Sequence, residues 1–220
     1  MITPDTIIRT NRKTLAVCIS PTGTVTVRAP LSCDTARIFA FLEQKQDWIL
    51  RQKRKFESVS ALLPSADLDG YVFSFLGKPT KIRIFAGKYV HYNECENEIL
   101  LPQIGAQEKL IKFLKQTAKK VFCERAEKLA GRMKTAYKSV AVTSAKTRWG
   151  SCSGNNAIRF SFRLIYANAD VIDYVIVHEL AHVKHKNHSK NFWREVEKYA
   201  PDFKSHRAWL KKHAYFMEIF

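Results

Sequence analysis

The chain has 220 residues, 46% of them hydrophobic and 12% aromatic, enough for a packed core in one medium domain or two small ones. No apolar run reaches the roughly eighteen residues of a membrane span, and the start Met-Ile-Thr-Pro-Asp lacks a signal peptide's charged end and apolar core. The net charge is +17 and uneven: residues 1–103 carry 14 Lys and Arg against 10 Asp and Glu, while residues 104–220 carry 23 against 10. Five scattered cysteines with no C-x-x-C pair argue against a disulfide framework, so a cytoplasmic protein with reduced thiols and no membrane partner is expected.

Residues 6–29 read as a β-hairpin, with Leu15–Ile19 and Thr24–Arg28 alternating around a turn at Ser20-Pro-Thr-Gly23. Ser32 or Asp34 can cap one helix running to about Glu57, whose stripe holds Ile38, Phe41, Leu42, Trp48 and Ile49. Its basic end, Arg51–Lys55, suits the negative end of a helix dipole. A loop over 61–70 leads into a meander of short strands at 71–76, 80–85, 89–92 and 98–101.

Pro102–Gly105 is the expected boundary, dividing a strand-rich region with one helix (1–103) from the motif-bearing domain (104–220). Leu110, Phe113, Leu114, Ala118, Val121, Phe122, Arg125, Ala126, Leu129 and Met133 predict a long amphipathic helix over 106–138, its other face filled with lysines. Ser139–Thr143 and Ala157–Arg163 alternate as strands, and between them lies Thr147-Arg-Trp-Gly-Ser-Cys-Ser153. The hairpin of Arg148, Trp149, Gly150, Ser151 and Cys152 is expected to border the site and offer a strand edge to an extended peptide.

The chemistry concentrates in residues 175–193. His178, Glu179 and His182 form H-E-x-x-H, in which residues four apart on a helix aim two imidazoles at one point. Glu179 can then take a proton from a metal-bound water. Asp170 and Asp173 are placed to cap that helix, which is expected to run from 171 to about 186. Asn187 can end it in a left-handed conformation and deliver His188 as a third ligand, leaving the fourth position open. Glu195 from the next helix and His185 are the competing third ligands. Ser189 can cap that next helix, with Phe192, Trp193 and Val196 under the site; a closing helix is expected over 203–215. Tyr166, Tyr174 and Arg148 are the candidates for stabilising an oxyanion.

R-W-G-S-C-S at 148–153, D-Y-V-I-V-H-E-L-A-H at 173–182 and N-H-S-K-N-F-W at 187–193 together resemble the YgjP-like zinc metallopeptidases, relatives of the SprT-like and WLM proteases. The resemblance implies Zn2+ held by His178, His182 and His188, with Glu179 as catalytic base. It implies an α+β fold in which a strand-rich N-terminal region precedes a zincin-like domain, its small sheet packed on the H-E-x-x-H helix. The spacing to His188 equals that of metzincins, but His185 stands where they carry glycine, and no methionine turn follows. The expected activity is endopeptidase cleavage of a protein or peptide; the basic C-terminal half gives an alternative, a nucleic-acid-associated zinc protein.

Overall fold

The computed structural model describes residues 2–20, 23–60, 64 and 67–220, with 55–60 as backbone only. No described helix is long and apolar enough to cross a membrane. The chain divides into two compact units, 1–63 and 64–220. The division falls well before the expected 103/104, because the strands of residues 72–102 belong with the helix that follows them.

In the first unit, β2 (Ala16–Ile19) and β3 (Val25–Pro30) form the expected hairpin, and β1 (Thr6–Thr10) adds to the far side of β3 in parallel, giving the order β1-β3-β2. Of the turn, Pro21 and Thr22 lie outside the described residues, as do 61–63, 65 and 66 of the expected loop. Alternate residues of β3 (Val25, Val27 and Ala29) meet Ile38, Leu42 and Ile49 in a closed apolar core. The single expected helix is two: α1 (Thr35–Gln44) and α2 (Gln46–Ser60), separated at Lys45. Asp34 holds the N-cap position of α1 but makes no side-chain cap bond. Since α2 continues to Ser60, the Arg51–Lys55 tract is mid-helix and does not complement a C-terminal dipole.

Among the described residues, the second unit holds two sheets. β4 (Val72–Phe75), β5 (Lys78–Phe85), β6 (His91–Asn93) and β7 (Glu98–Pro102) are ordered β4-β5-β7-β6, with β5 and β7 parallel, so the expected meander is broken by one exchange of neighbours. α3 (Ala106–Met133) buries Leu110, Leu114, Ala118, Phe122, Ala126, Leu129 and Met133 of its expected stripe, leaves Phe113, Val121 and Arg125 half-buried at its edge, and ends at Lys134 in the left-handed region. β8 (Ser139–Thr143), β9 (Gly150–Cys152) and β10 (Ala157–Ser161) form the second sheet, order β8-β10-β9.

A 3-10 turn over Phe162–Tyr166 then leads to α4 (Ala169–Lys184), the H-E-x-x-H helix. Its cap is Asn168, whose side chain accepts from the Val171 N–H at 3.0 Å; Asp170 sits inside the first turn, and Asp173 pairs with Arg125 of α3 at 2.7 Å. Gly77, in the β4–β5 turn at φ +79°, lies against that cap: a Cβ there would come within 2.6 Å of the Asn168 Cβ. Replacing Asn168 with Ala is therefore expected to cost about 1 kcal/mol, while Asp170→Ala stays within roughly 0.5 kcal/mol. Denaturant midpoints of the two variants check this, and equal losses would contradict the assignment of the cap.

Two helices complete the unit. α5 (Lys190–Tyr199) is capped by Ser189, whose hydroxyl accepts from the Phe192 N–H, and it stops before Pro201. α6 (Phe203–Lys212) is shorter than expected and is followed by a 3-10 turn at Ala214–Glu218.

Candidate active site and metal centre

α4 is apolar through Val171, Ile172, Val175, Ile176 and Val177, all buried, so its next turn is delivered into the protein with polar side chains attached. The ligand nitrogens of His178, His182 and His188 all lie within 4.8 Å of one another, and the Nε2 atoms of His178 and His188 are 3.2 Å apart. Tetrahedral zinc with bonds near 2.05 Å sets its ligand nitrogens about 3.3 Å apart. The donor set fits such an ion: two facing imidazole nitrogens need either a shared proton or a cation between them.

The structure delivers His188 by a route different from the expected one. α4 already ends at Lys184, His185 is extended at φ −126° and ψ 99°, and Asn187 is not in the left-handed region. The early stop turns the His185 carbonyl back onto the His182 Nδ1, 2.9 Å away. A proton on Nδ1 donates to that carbonyl, leaving the lone pair of the His182 Nε2 available to a metal. His185 thus joins the site through its backbone. Glu195 is engaged elsewhere, accepting from the Lys184 Nζ at 2.7 Å.

Beneath the imidazoles lies Phe192, fully buried, with ring centroids 4.9, 4.5 and 4.8 Å from those of His178, His182 and His188. Trp193 stacks on His188 at 5.7 Å. Burial, then the neighbouring imidazoles and Arg207, push the His178 pKa down to about 3, so that ring stays uncharged. Burial also lowers that of His182, against the opposing effect of the His185 carbonyl. Neutral imidazole is the form that binds metal. The His178 Nδ1 is buried and has no hydrogen-bond partner among the described residues.

Glu179 is only 5% exposed, and burial pushes its carboxyl up to about 8. It faces the strand β9. A Cβ on Gly150 would stand 2.6 Å from Glu179 Oε1 and 2.8 Å from its Cγ, so only glycine lets the carboxyl and the strand meet. A cleft of about 180 Å³ opens beside them, lined by Trp149, Gly150, Tyr174, Val175, His178, Glu179 and Leu210.

Of the expected substrate-contacting residues, Trp149 and Gly150 line this cleft. Arg148 is exposed, and Ser151 and Cys152 are half-buried without lining it. Burial pushes the Cys152 thiol pKa up, and among the described residues the metal-ligating cluster consists of the three histidines alone. Tyr174 reaches the cleft, its ring 6.0 Å from His178. Tyr166 does not; it is fully buried against Phe73 and Phe216. The carbonyl of His185 and the cleft wall at Leu210 were not foreseen. The first depends on where a helix stops and the second on a helix packing across the chain, and neither leaves a local sequence signal.

A family model described as the YgjP-like metallopeptidase domain matches residues 13–213. No curated protein and no solved structure matches the chain.

Proposed function

The chain belongs to the YgjP-like metallopeptidase family, and from that premise we propose that it is a zinc-dependent endopeptidase of zincin-like design, with His178, His182 and His188 holding the metal and Glu179 as general base. The observation that carries the reading is a cluster of three imidazoles on and beside the helix whose buried Glu179 carboxyl meets the closely approaching β9 strand. A bound zinc ion supplies Lewis acidity toward the scissile carbonyl and acidifies a water.

The chain's own groups supply the rest. At neutral pH burial keeps Glu179 protonated in the metal-free chain, so its work as a base requires a positive charge nearby to favour the carboxylate. As carboxylate, Glu179 accepts a proton from the attacking water while the water oxygen bonds to the carbonyl carbon. It then returns that proton to the amine as the C–N bond breaks. Trp149 and Gly150 offer the wall along which an extended peptide lies, and Tyr174 is the hydroxyl within the cleft for the developing oxyanion. Phe192 and the His185 carbonyl hold the imidazoles in position.

The reading is tested by metal content and peptide cleavage together. The purified protein is expected to hold about one zinc per chain, and His188→Ala to bind it roughly 10- to 100-fold more weakly or worse. Unchanged zinc content in His188→Ala, or a zinc-loaded protein that cleaves no member of a peptide library, would contradict it.

A further inference from the structure

A second cavity lies far from this chemistry in sequence. It belongs wholly to the first unit, is lined by residues between Arg12 and Gln44, and has a volume of about 720 Å³. That is within the range of small-molecule sites, roughly 300–1,000 Å³. Its charged lining is of one sign: Arg12, Lys13 and Arg37 contribute three cations, and among the described residues that line it there is no carboxylate. The hydroxyl-bearing Thr14 and Ser32 lie among them, and Phe41 forms part of an apolar side.

The arginines are differently committed. The neighbouring Arg9 spends its guanidinium on the Cys33 and Pro30 carbonyls and the Thr35 hydroxyl, clamping β1 to the start of α1. Among the described residues the Arg12 side chain has only a long contact, to the Thr14 hydroxyl at 3.4 Å, and its Nε is buried with no partner. A buried donor left without an acceptor costs about 1–3 kcal/mol, so such a group calls for a ligand, ion or water.

We propose that this cavity is a binding site for a phosphate group, with Arg12 and Arg37 as the forked donors and Lys13 as a third charge. Phosphate fits better than carboxylate because three uncompensated cations ask for more than one negative charge. Its several oxygens can also accept from two guanidinium forks at once. The group reaches the cavity either on a small phosphorylated molecule or as part of a phosphodiester chain. The site uses none of the residues assigned to hydrolysis, so it stands or falls apart from the peptidase reading.

Calorimetric titration of the zinc-loaded 220-residue chain with pyrophosphate, a single-stranded oligonucleotide of about 12 nucleotides and citrate tests it at low salt. Pyrophosphate binding that weakens about tenfold or more in both Arg12→Gln and Arg37→Gln supports a small phosphorylated ligand. Oligonucleotide binding with the same losses supports a phosphodiester source. The exposed Lys13→Gln, which disturbs no described hydrogen bond, should weaken either by a smaller factor and guards against misfolding of the arginine variants. Binding of neither probe, affinity indifferent to all three substitutions (as for pyrophosphate captured by the metal), or citrate bound as tightly as pyrophosphate would overturn the proposal.

Discussion

Replacing Glu179 with Gln should lower peptide hydrolysis by on the order of 10²- to 10⁴-fold while leaving zinc bound, because the amide keeps the shape but cannot take a proton. The same substitution should stabilise the metal-free protein at alkaline pH. In the folded chain the Glu179 carboxyl is pushed up to about 8 from an ordinary 4.5. Below pH 4.5 the group is protonated folded and unfolded, and its environment costs nothing. As pH rises toward 8 the unfolded chain releases the proton first, and stability falls; above 8 the loss is complete. His178 runs the other way, its pKa pushed down to about 3 from 6.5, so its contribution is intact above 6.5 and lost as pH falls toward 3. Between pH 6.5 and 8 Glu179 therefore acts without opposition from His178. Metal-free Glu179→Gln should exceed the wild type there by on the order of a few kcal/mol, the gap closing toward pH 4.5. Urea unfolding of chelator-treated protein at several pH values measures it, and a pH-independent gap, or an active Gln variant, would contradict the assignment.

Gly150→Ala should be the most damaging single-methyl change near the site. The added carbon meets Oε1, Cγ and Cδ of Glu179 at 2.6, 2.8 and 3.0 Å, and Glu179 is too buried to swing clear. Either β9 backs away or the carboxyl is displaced. Overpacking of this kind costs typically 1–3 kcal/mol, and an ångström of misplacement costs on the order of 10²-fold in rate. The loss should fall on kcat with zinc content unchanged. Shortening the partner identifies the cause: Glu179→Ala in the Gly150→Ala background should recover most of the stability without activity. A double variant no more stable than Gly150→Ala alone would show that the methyl clashes with something else.

How much of this was readable beforehand differs by element. The histidine cluster was legible because i,i+4 spacing on an apolar helix admits few geometries, and Phe192 was legible because it follows a Ser189 cap by three residues. The route to His188 was not. Lys186 and Asn187 continue the helical pattern acceptably, and the early stop at Lys184 is held by tertiary contacts, Lys184 donating to the Met133 carbonyl and to Glu195. The cap moved from Asp170 to Asn168 for a similar reason: either residue could serve, and the close approach at Gly77 bears on Asn168 alone. Gly150 read as part of the hairpin bordering the site, but which atom approached it could not be known before α4 was set against β9. The split at residue 63 was obscured because strands on both sides of it look alike in sequence, while their partners lie in different sheets.

The central claim, a three-histidine catalytic metal site served by Glu179, is tested most directly by a crystal structure of the zinc-loaded protein with anomalous data at the zinc edge. The account predicts one peak at about 2.0–2.1 Å from the ligating nitrogens of His178, His182 and His188, no fourth protein ligand, and the Glu179 carboxylate facing the open position. A zinc ion bound by Cys152 or Glu195, or closed off by four protein ligands, would contradict it.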